Sequence, residues 1–465
     1  MTDDVVRFET RMSDADALLW RLERDPLLRS TITSVSVFDR PFDRERLVER
    51  IDRGTRLIPR LRQRVLTSPL SPSPPRWVVD PGFDLRYHLR WLRAPGEGTM
   101  RDLLDLVEPL AMQGFDRARP LWEFTVVDGL EGGRCAFIQK IHHSITDGVG
   151  GIRLAMLLLD LEEAPAAAPE PMPPAPPPEH LRLGERFVDA AGHEQRRTLG
   201  IALRQLSAAR GFVSDPVGAT RRGIDSVASV ARLLAPEFTP LSPLLSERST
   251  GTRFDTVVVP LGELKAAARA SGGKLNDAFV AGVATGLGRY HERLGVTVER
   301  LRMTMPINVR TDETESVAGN QIVPSRFLVP VTAGDPLERM RTVHELVEVQ
   351  RNEPAGRYAE LIAGILNRLP AALAIELFGR MLKGVDFLTS NVPGPPIPVF
   401  MAGARLVSQF PFGPLGGAAV NVTLLSYLDE CNLGITSDST AVSDPDLLRT
   451  CIEESFDDLR KAAVA

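Results

Sequence analysis

The residues best suited to chemistry in this chain lie together, as His142-His143-Ser144-Ile145-Thr146-Asp147-Gly148. An imidazole titrates near neutral pH, so it can take a proton from a weak acid and return it within one reaction cycle. Two adjacent imidazoles followed by a carboxylate form an HHxxxDG pattern, which we read as a proton-transfer centre. A zinc site built from His143 and Asp147 is the first rival. Adjacent histidines on opposite strand faces seldom share an ion and no third ligand stands at a helpful spacing, so no metal is expected. Covalent catalysis is the second rival. Ser144 lacks a GxSxG elbow, and Cys135, eight residues before His143, would sit roughly 26 Å away along an extended strand. Direct proton transfer remains.

The elements that must position this centre can be read around it. Residues 121–127 and 135–143 are two β-rich runs separated by Asp128-Gly129-Leu130-Glu131-Gly132-Gly133, the pattern of a hairpin. Side chains alternate along a strand, so His142 and His143 must point opposite ways if the strand persists to them. After Gly148, residues 150–159 are apolar enough for a buried helix. Residues 164–178, mostly alanine and proline, cannot pack a core and should form a linker. We therefore divide the chain into an N-terminal domain (1–163), a linker with connecting helices (164–250) and a C-terminal domain (251–465).

In the first domain, residues 13–24, 44–55 and 100–112 have helical patterns, and residues 31–38 and 77–80 have strand patterns. Residues 58–65 read as a solvated basic edge strand, and residues 83–91, which alternate polar with apolar, as a half-buried strand carrying a structural His88. Residues 181–246 read as arginine-rich connecting helices. In the second domain, strands are expected near 254–260, 302–310, 322–329, 386–392, 406–410, 418–428 and 432–437. Helices are expected at 261–271, 276–294 (with Asn276-Asp277 as its N-cap), 335–351, 358–383 and 444–461.

The composition removes other classes. With 465 residues, 43% apolar and 25% charged, the chain describes soluble globular domains. A formal charge of -5 gives no reason to expect nucleic acid as a partner. Three cysteines without a CxxC pair suit a reducing cytoplasm. There is no secretory-signal pattern and no apolar run of the ~20 residues a membrane span requires, so any membrane contact should be peripheral.

Further blocks accompany HHSITDG: FDLRYHL at 83–89, FDRARPLWEF at 115–124, LNDAF at 275–279, MPINVR at 305–310, GNQ at 319–321 and SNVPGP at 390–395. The HHxxxDG motif is shared by CoA-dependent acyltransferases, a group that includes chloramphenicol acetyltransferases and nonribosomal condensation domains. The collinear blocks narrow this: from about residue 12 to 460 the chain resembles the bacterial wax ester synthase/acyl-CoA:diacylglycerol acyltransferase family.

The resemblance implies an α/β (α+β) fold of two chloramphenicol-acetyltransferase-like domains, each a mixed sheet with flanking helices, with the active-site channel between them. It implies an O-acyltransferase that moves a long-chain acyl group from acyl-CoA to diacylglycerol or a fatty alcohol. His143 would be the general base, supported by His142, Asp147 and Gly148, with Asp147 paired to an arginine rather than acting as a triad acid. Asn276 and Asp277 match the motif bordering the site. Asn276, a backbone amide near Gly148, Thr423 and Ser426 are candidate oxyanion donors. Trp122, Asp277, Ser390, Asn391, Thr423 and Ser426 are placed at the substrate-binding surface.

No cofactor is expected, acyl-CoA being a co-substrate. The expected location is cytoplasmic, or peripheral on the inner membrane face or on lipid inclusions. The apolar helices at 150–160 and 358–382 suit a dry channel wall or ordinary core. The rival functions are carrier-protein-dependent condensation and a non-catalytic lipid-binding role. The chain departs from the family at Ser144, where alanine is frequent, and over 181–246.

Overall fold

A computed structural model describes residues 7–67, 73–145, 158–163, 171–182, 184–196, 239–308, 317–318, 322–332, 334–351, 363–364 and 366–463. Asp147, Gly148, most of the helix expected at 150–160, the GNQ block and residues 352–362 lie outside the described residues.

In chain order the strands are β1 (Arg7–Phe8), β2 (Thr31–Phe38), β3 (Gln63–Leu66), β4 (Arg76–Val79), β5 (Leu89–Arg93), β6 (Trp122–Leu130), β7 (Arg134–His142) and β8 (Thr252–Pro260). They continue with β9 (Arg300–Asn308), β10 (Val317–Ala318), β11 (Ile322–Pro330), β12 (Phe387–Pro393), β13 (Phe400–Met401), β14 (Ala404–Phe412), β15 (Val420–Tyr427) and β16 (Glu430–Asp438). The main helices are α1 (Asp14–Leu22), α2 (Arg44–Leu57), α3 (Leu85–His88), α4 (Met100–Met112), α5 (Leu261–Ala270), α6 (Leu275–Arg293), α7 (Pro336–Arg351), α8 (Ala371–Lys383) and α9 (Pro445–Ala462).

Two six-stranded mixed sheets carry the fold, ordered β13-β14-β2-β7-β6-β5 and β11-β9-β12-β15-β16-β8. This is the mixed α/β architecture that the resemblance implied. Side-chain caps fix several helix starts. Ser13 accepts the Asp16 N–H at 3.0 Å, Asp43 accepts that of Arg46 at 3.1 Å, and Thr99 and Asp102 form a capping box. The expected hairpin is β6–β7, turned by Gly132 and Gly133 at φ 72° and 71°, values that disfavour any side chain. The C-terminal core lies between its sheet and α5, α6, α7 and α9, around Phe279, Leu287, Met340, Val343 and Phe456.

Several expectations need correction. Strands β13 and β14 come from the C-terminal part of the sequence, yet β14 pairs antiparallel with β2 and so completes the N-terminal sheet. A boundary at residue 251 thus separates the chain but not the sheets. Residues 83–91 are not one strand, because the Asp84 carboxylate accepts the Arg86 N–H at 3.0 Å and starts the single turn α3 before β5. The basic segment 58–65 begins with a 3₁₀ turn, Pro59–Arg62. Arg60 there is 4% exposed, stacked 4.2 Å over Trp77, rather than solvated.

The two sheets also meet at α4, which covers the edge of β8. Arg101 donates to the Phe254 carbonyl at 2.6 Å and Glu108 accepts the Phe254 N–H at 2.9 Å, satisfying groups that an edge strand would otherwise expose. Asp255 beside them is buried, and burial pushes its carboxyl up to about 6. Arg253 and Arg101 oppose that rise, but Arg101 is shared with Asp105 and Glu108.

The folded protein therefore holds this proton more tightly than the unfolded chain, whose aspartates titrate near 3.9. The Asp255 contribution to stability is present below about pH 4 and is lost as pH rises to about 6. Asp255→Asn should raise the melting temperature relative to wild type more at pH 7 than at pH 5. An equal offset at both pH values would contradict this.

Candidate functional site

The histidine pair stands where β7 ends. His142 is the last strand residue, paired with Thr31 of β2. The ladder continues by one bond, the His143 N–H donating to the Ser30 carbonyl at 2.8 Å, before the chain turns through Ser144 and Ile145. Alternation therefore holds to His143, and the two rings have different surroundings. His142 is 0% exposed, whereas His143 is half-buried.

His142 is held on all sides. Its Nδ1 accepts the Ser144 N–H at 3.0 Å and lies 2.7 Å from the Ser144 hydroxyl. A ring nitrogen that accepts an N–H carries no proton, so the proton sits on Nε2. Nε2 lies 2.9 Å from Glu23 Oε1, although its N–H does not point straight along that line. Trp20 and Phe115 meet the ring edge-on at 5.5 and 6.1 Å between centroids.

Burial works to raise the Glu23 pKa, but His142, the Ser30 N–H and Arg117 together bring it below the ordinary carboxylate value. Lys140, two residues earlier on the same strand face, is 3% exposed, with Nζ 3.5 Å from Glu123 and 4.7 Å from the centre of the Phe115 ring. Burial pushes its pKa down and Glu123 opposes that.

This geometry also answers the nucleophile question for two residues. The Ser144 hydroxyl is engaged with His142 rather than aimed at His143. Cys135 donates to the Arg40 carbonyl at 3.0 Å, and burial pushes its thiol up to about 12, so it holds its proton at neutral pH.

From the C-terminal sheet, β14 is the bridge to this site. It lies beside β2, which lies beside β7, and its face meets β15 and β16. At the end of β14, a Cβ on Gly413 would fall 2.5 Å from Asn421 Nδ2 and 3.0 Å from Thr423 Oγ1. Thr423 donates to Asn421 Oδ1 at 3.2 Å, and Asn421 donates to the Pro414 carbonyl at 2.7 Å.

The β12–β15 register pairs Ser390 with Thr423, Asn391 with Leu424 and Pro393 with Ser426. Leu424 belongs to the helix-packed core, whereas Leu425 and Tyr427 pack with the N-terminal sheet. Neighbours in register share a face. Ser390 and Thr423 therefore turn toward β14, while Asn391 and Ser426 lie on the helix side, a correction to treating all four as one surface. The Ser426 hydroxyl accepts the Gly394 N–H at 3.4 Å, holding the turn after β12.

Three further candidates are placed differently from expectation. Trp122 is 0% exposed, stacked on His88 at 4.5 Å, with its indole N–H donated to the Leu61 carbonyl at 2.8 Å. It is a core residue with no free edge for substrate. Asn276 and Asp277 do not form an N-cap, because α6 starts one residue earlier, at Leu275. Asp277, in the first turn, accepts the Lys274 N–H at 2.7 Å and lies 2.8 Å from His344 Nδ1. At 2% exposure its carboxylate serves the helix start. Asn276 is half-buried and its amide donates to Met305 Sδ at 3.4 Å, at the β9 side of the C-terminal sheet. There β9 pairs with β12 only at Phe387 and Leu388, so the strands part just before Ser390.

Sequence reading missed Glu23 and Ser30. Their only signal was a carboxylate left at the end of an amphipathic helix, where the helix dipole disfavours it.

Comparison with known proteins agrees with this construction. The family model for the wax ester synthase/diacylglycerol acyltransferase catalytic domain matches residues 12–279, and that for the C-terminal domain matches residues 318–460. A Mycobacterium tuberculosis H37Rv protein with the provisional name diacylglycerol O-acyltransferase is 35% identical over 97% of this chain and 92% of its own length. A second protein so named from that strain is 31% identical over 98% of both chains.

Among solved structures, the wax ester synthase/diacylglycerol acyltransferase from Marinobacter aquaeolei VT8 superposes with TM-score 0.63 at 21% identity, covering 98% of this chain and 100% of that one. The first condensation domain of the CDA synthetase superposes with TM-score 0.61 at 17% identity, covering 97% and 95%. These two likenesses establish the fold, and the sequence matches establish more: the chain belongs to the wax ester synthase/diacylglycerol acyltransferase family.

Proposed function

We propose that the protein transfers a long-chain acyl group from acyl-CoA to an alcohol, either diacylglycerol or a fatty alcohol, with His143 as general base. The observation that carries this reading is the division within the histidine pair. His142 has no exposure, with Nδ1 accepting the Ser144 N–H and Nε2 2.9 Å from the Glu23 carboxylate, while His143 follows it on the turn and is half-buried.

An alcohol is too weak an acid to ionise at neutral pH, so its proton passes to the neutral imidazole as the oxygen attacks the thioester carbonyl. The tetrahedral oxyanion collapses, the carbon–sulfur bond breaks, and the imidazolium returns the proton to the departing CoA thiolate. No acyl-enzyme intervenes and no cofactor takes part. Asp147 and Gly148 take the supporting roles the family motif gives them, and Ser390 lines the acceptor side. Asn276, whose amide keeps a second N–H beyond the one on Met305 Sδ, donates to the oxyanion, the single Thr423 hydroxyl proton being given to Asn421. Excluding water keeps the thioester from hydrolysis. Among the described residues no helix is long and apolar enough to cross a membrane. A lipid acceptor would accordingly be met at a membrane or inclusion surface by peripheral contact.

The test is a purified-protein assay with palmitoyl-CoA and either hexadecanol or dioleoylglycerol, measuring both free CoA and ester. Ester formed from at least one acceptor without a carrier protein supports the reading. Turnover seen only when the acyl chain is tethered to a carrier protein would overturn it, and the ratio between acceptors would assign wax ester or triacylglycerol synthesis.

A further inference from the structure

Glu23 is an acid in an unfavourable place. It is the C-cap residue of α1, where unpaired carbonyls and the helix dipole disfavour a carboxylate. Its side chain is only 10% exposed. No role in capping accounts for it, but its contacts do. One oxygen, Oε1, accepts the Ser30 N–H at 2.6 Å and lies 2.9 Å from His142 Nε2.

Each contact leads to the backbone on one side of His143. The Ser30 carbonyl accepts the N–H of His143 itself at 2.8 Å. His142 Nδ1 accepts the N–H of the next residue, Ser144, at 3.0 Å. That second bond requires the tautomer with its proton on Nε2, the form a carboxylate at Nε2 favours. The peptide groups before and after His143 are thus both clamped, and the two clamps converge on a single carboxylate oxygen.

We propose that Glu23 is the positioning residue of the general base, setting the backbone of His143 from both sides through Ser30 and through the tautomer of His142. It reaches no reacting atom. Its effect is geometric, and a displacement of about 1 Å at a reacting group can cost on the order of 10²-fold in rate. The inference rests on the reading of His143 as the base, so its test includes a measurement that needs no activity.

The full-length wild type, E23A, E23Q, H143A and the E23A/H143A double variant are compared by steady-state kinetics with palmitoyl-CoA and the better acceptor. Melting temperature and hydrogen exchange by mass spectrometry in the peptide holding His143 to Ile145 are measured alongside. Removing the acceptor in E23A should lower kcat by about 10²-fold with KM within about twofold, and should speed exchange at His143 and Ser144. The carboxamide oxygen of E23Q still accepts hydrogen bonds, so E23Q should lose far less and keep slow exchange. The double variant should be no slower than H143A, because a positioned group that is absent cannot be mispositioned.

Unchanged exchange in E23A would overturn the proposal whatever the activities are. So would equal kcat losses in E23A and E23Q that follow their losses of melting temperature. If H143A instead retains activity, the base assignment fails, while the exchange data still decide whether Glu23 clamps this turn.

Discussion

His143→Ala should lower the rate of ester formation by roughly 10³-fold, within the 10²–10⁴ range that general-base catalysis supplies, while the protein remains folded. The proton of the alcohol has no acceptor of adequate strength at neutral pH except an imidazole. Wild-type kcat/KM should fall on the acid side as that imidazole protonates, and the residual activity of H143A should lack that limb.

The neighbouring substitution behaves differently. His142→Ala removes a fully buried ring with a hydrogen bond at Nδ1, a carboxylate 2.9 Å from Nε2 and two aromatic contacts, so it should lower the melting temperature as well as the rate. The contrast separates chemistry from support, and equal melting losses in both variants would erase it. Full activity in H143A, with circular dichroism and melting as in wild type, would remove the assignment of the base.

What the sequence discloses about this site follows from the range of each signal. The hairpin that ends in the histidine pair is legible because its causes are local: β-rich runs, and glycines where φ must be positive. The starts of α1 and α2 are legible because Ser13 and Asp43 cap them within three residues. The same locality misled at residues 83–91, where alternation suits a strand but Asp84 caps a single helical turn before β5 begins. Asp277 shows a related limit. An Asn-Asp pair at a helix start suggests a cap, yet an acid serves equally well at the third position by reaching back to Lys274.

Other features have causes that are distant in the chain. Glu23 and His142 are joined only when α1 packs beside the end of β7, and apart from its unfavourable place at the end of α1 nothing near Glu23 distinguishes it from a surface charge. Strand β14 alternates as any strand does, and its choice of β2 as partner depends on residues more than 360 positions earlier. The split of Ser390 from Asn391 could have been read from alternation alone; which of the two faces β14 could not.

The second large effect is expected at Gly434, where the sheets are locked together. Gly434 is at the middle of β16, paired on both sides, between Thr423 of β15 and Thr256 of β8. A Cβ there would lie 2.0 Å from the Pro411 carbonyl oxygen and 3.1 Å from Phe412 Cδ1. The obstacle is backbone, not a flexible side chain, and both backbones are fixed: Gly434 by two ladders and Pro411 by its pairing with Ser34 of β2. Gly434→Ala must therefore push β14 away from β15 and β16.

Overpacking of this kind costs about 1–3 kcal/mol, or roughly 2–12 °C in melting temperature for a domain of this size. Activity should fall further than stability does. The same movement carries Gly413 off Thr423 and Asn421, widening the distance between the face bearing Ser390 and Thr423 and the strand that leads to His143. A shift near 1 Å would cost on the order of 10²-fold in kcat. Gly262→Ala is the matched control, being exposed in the first turn of α5 with nothing within 4 Å of the added carbon; it should leave activity intact and melting unchanged or slightly higher. If Gly434→Ala melts and turns over as wild type does, the close approach of β14 to β16 does not set the distance across the site.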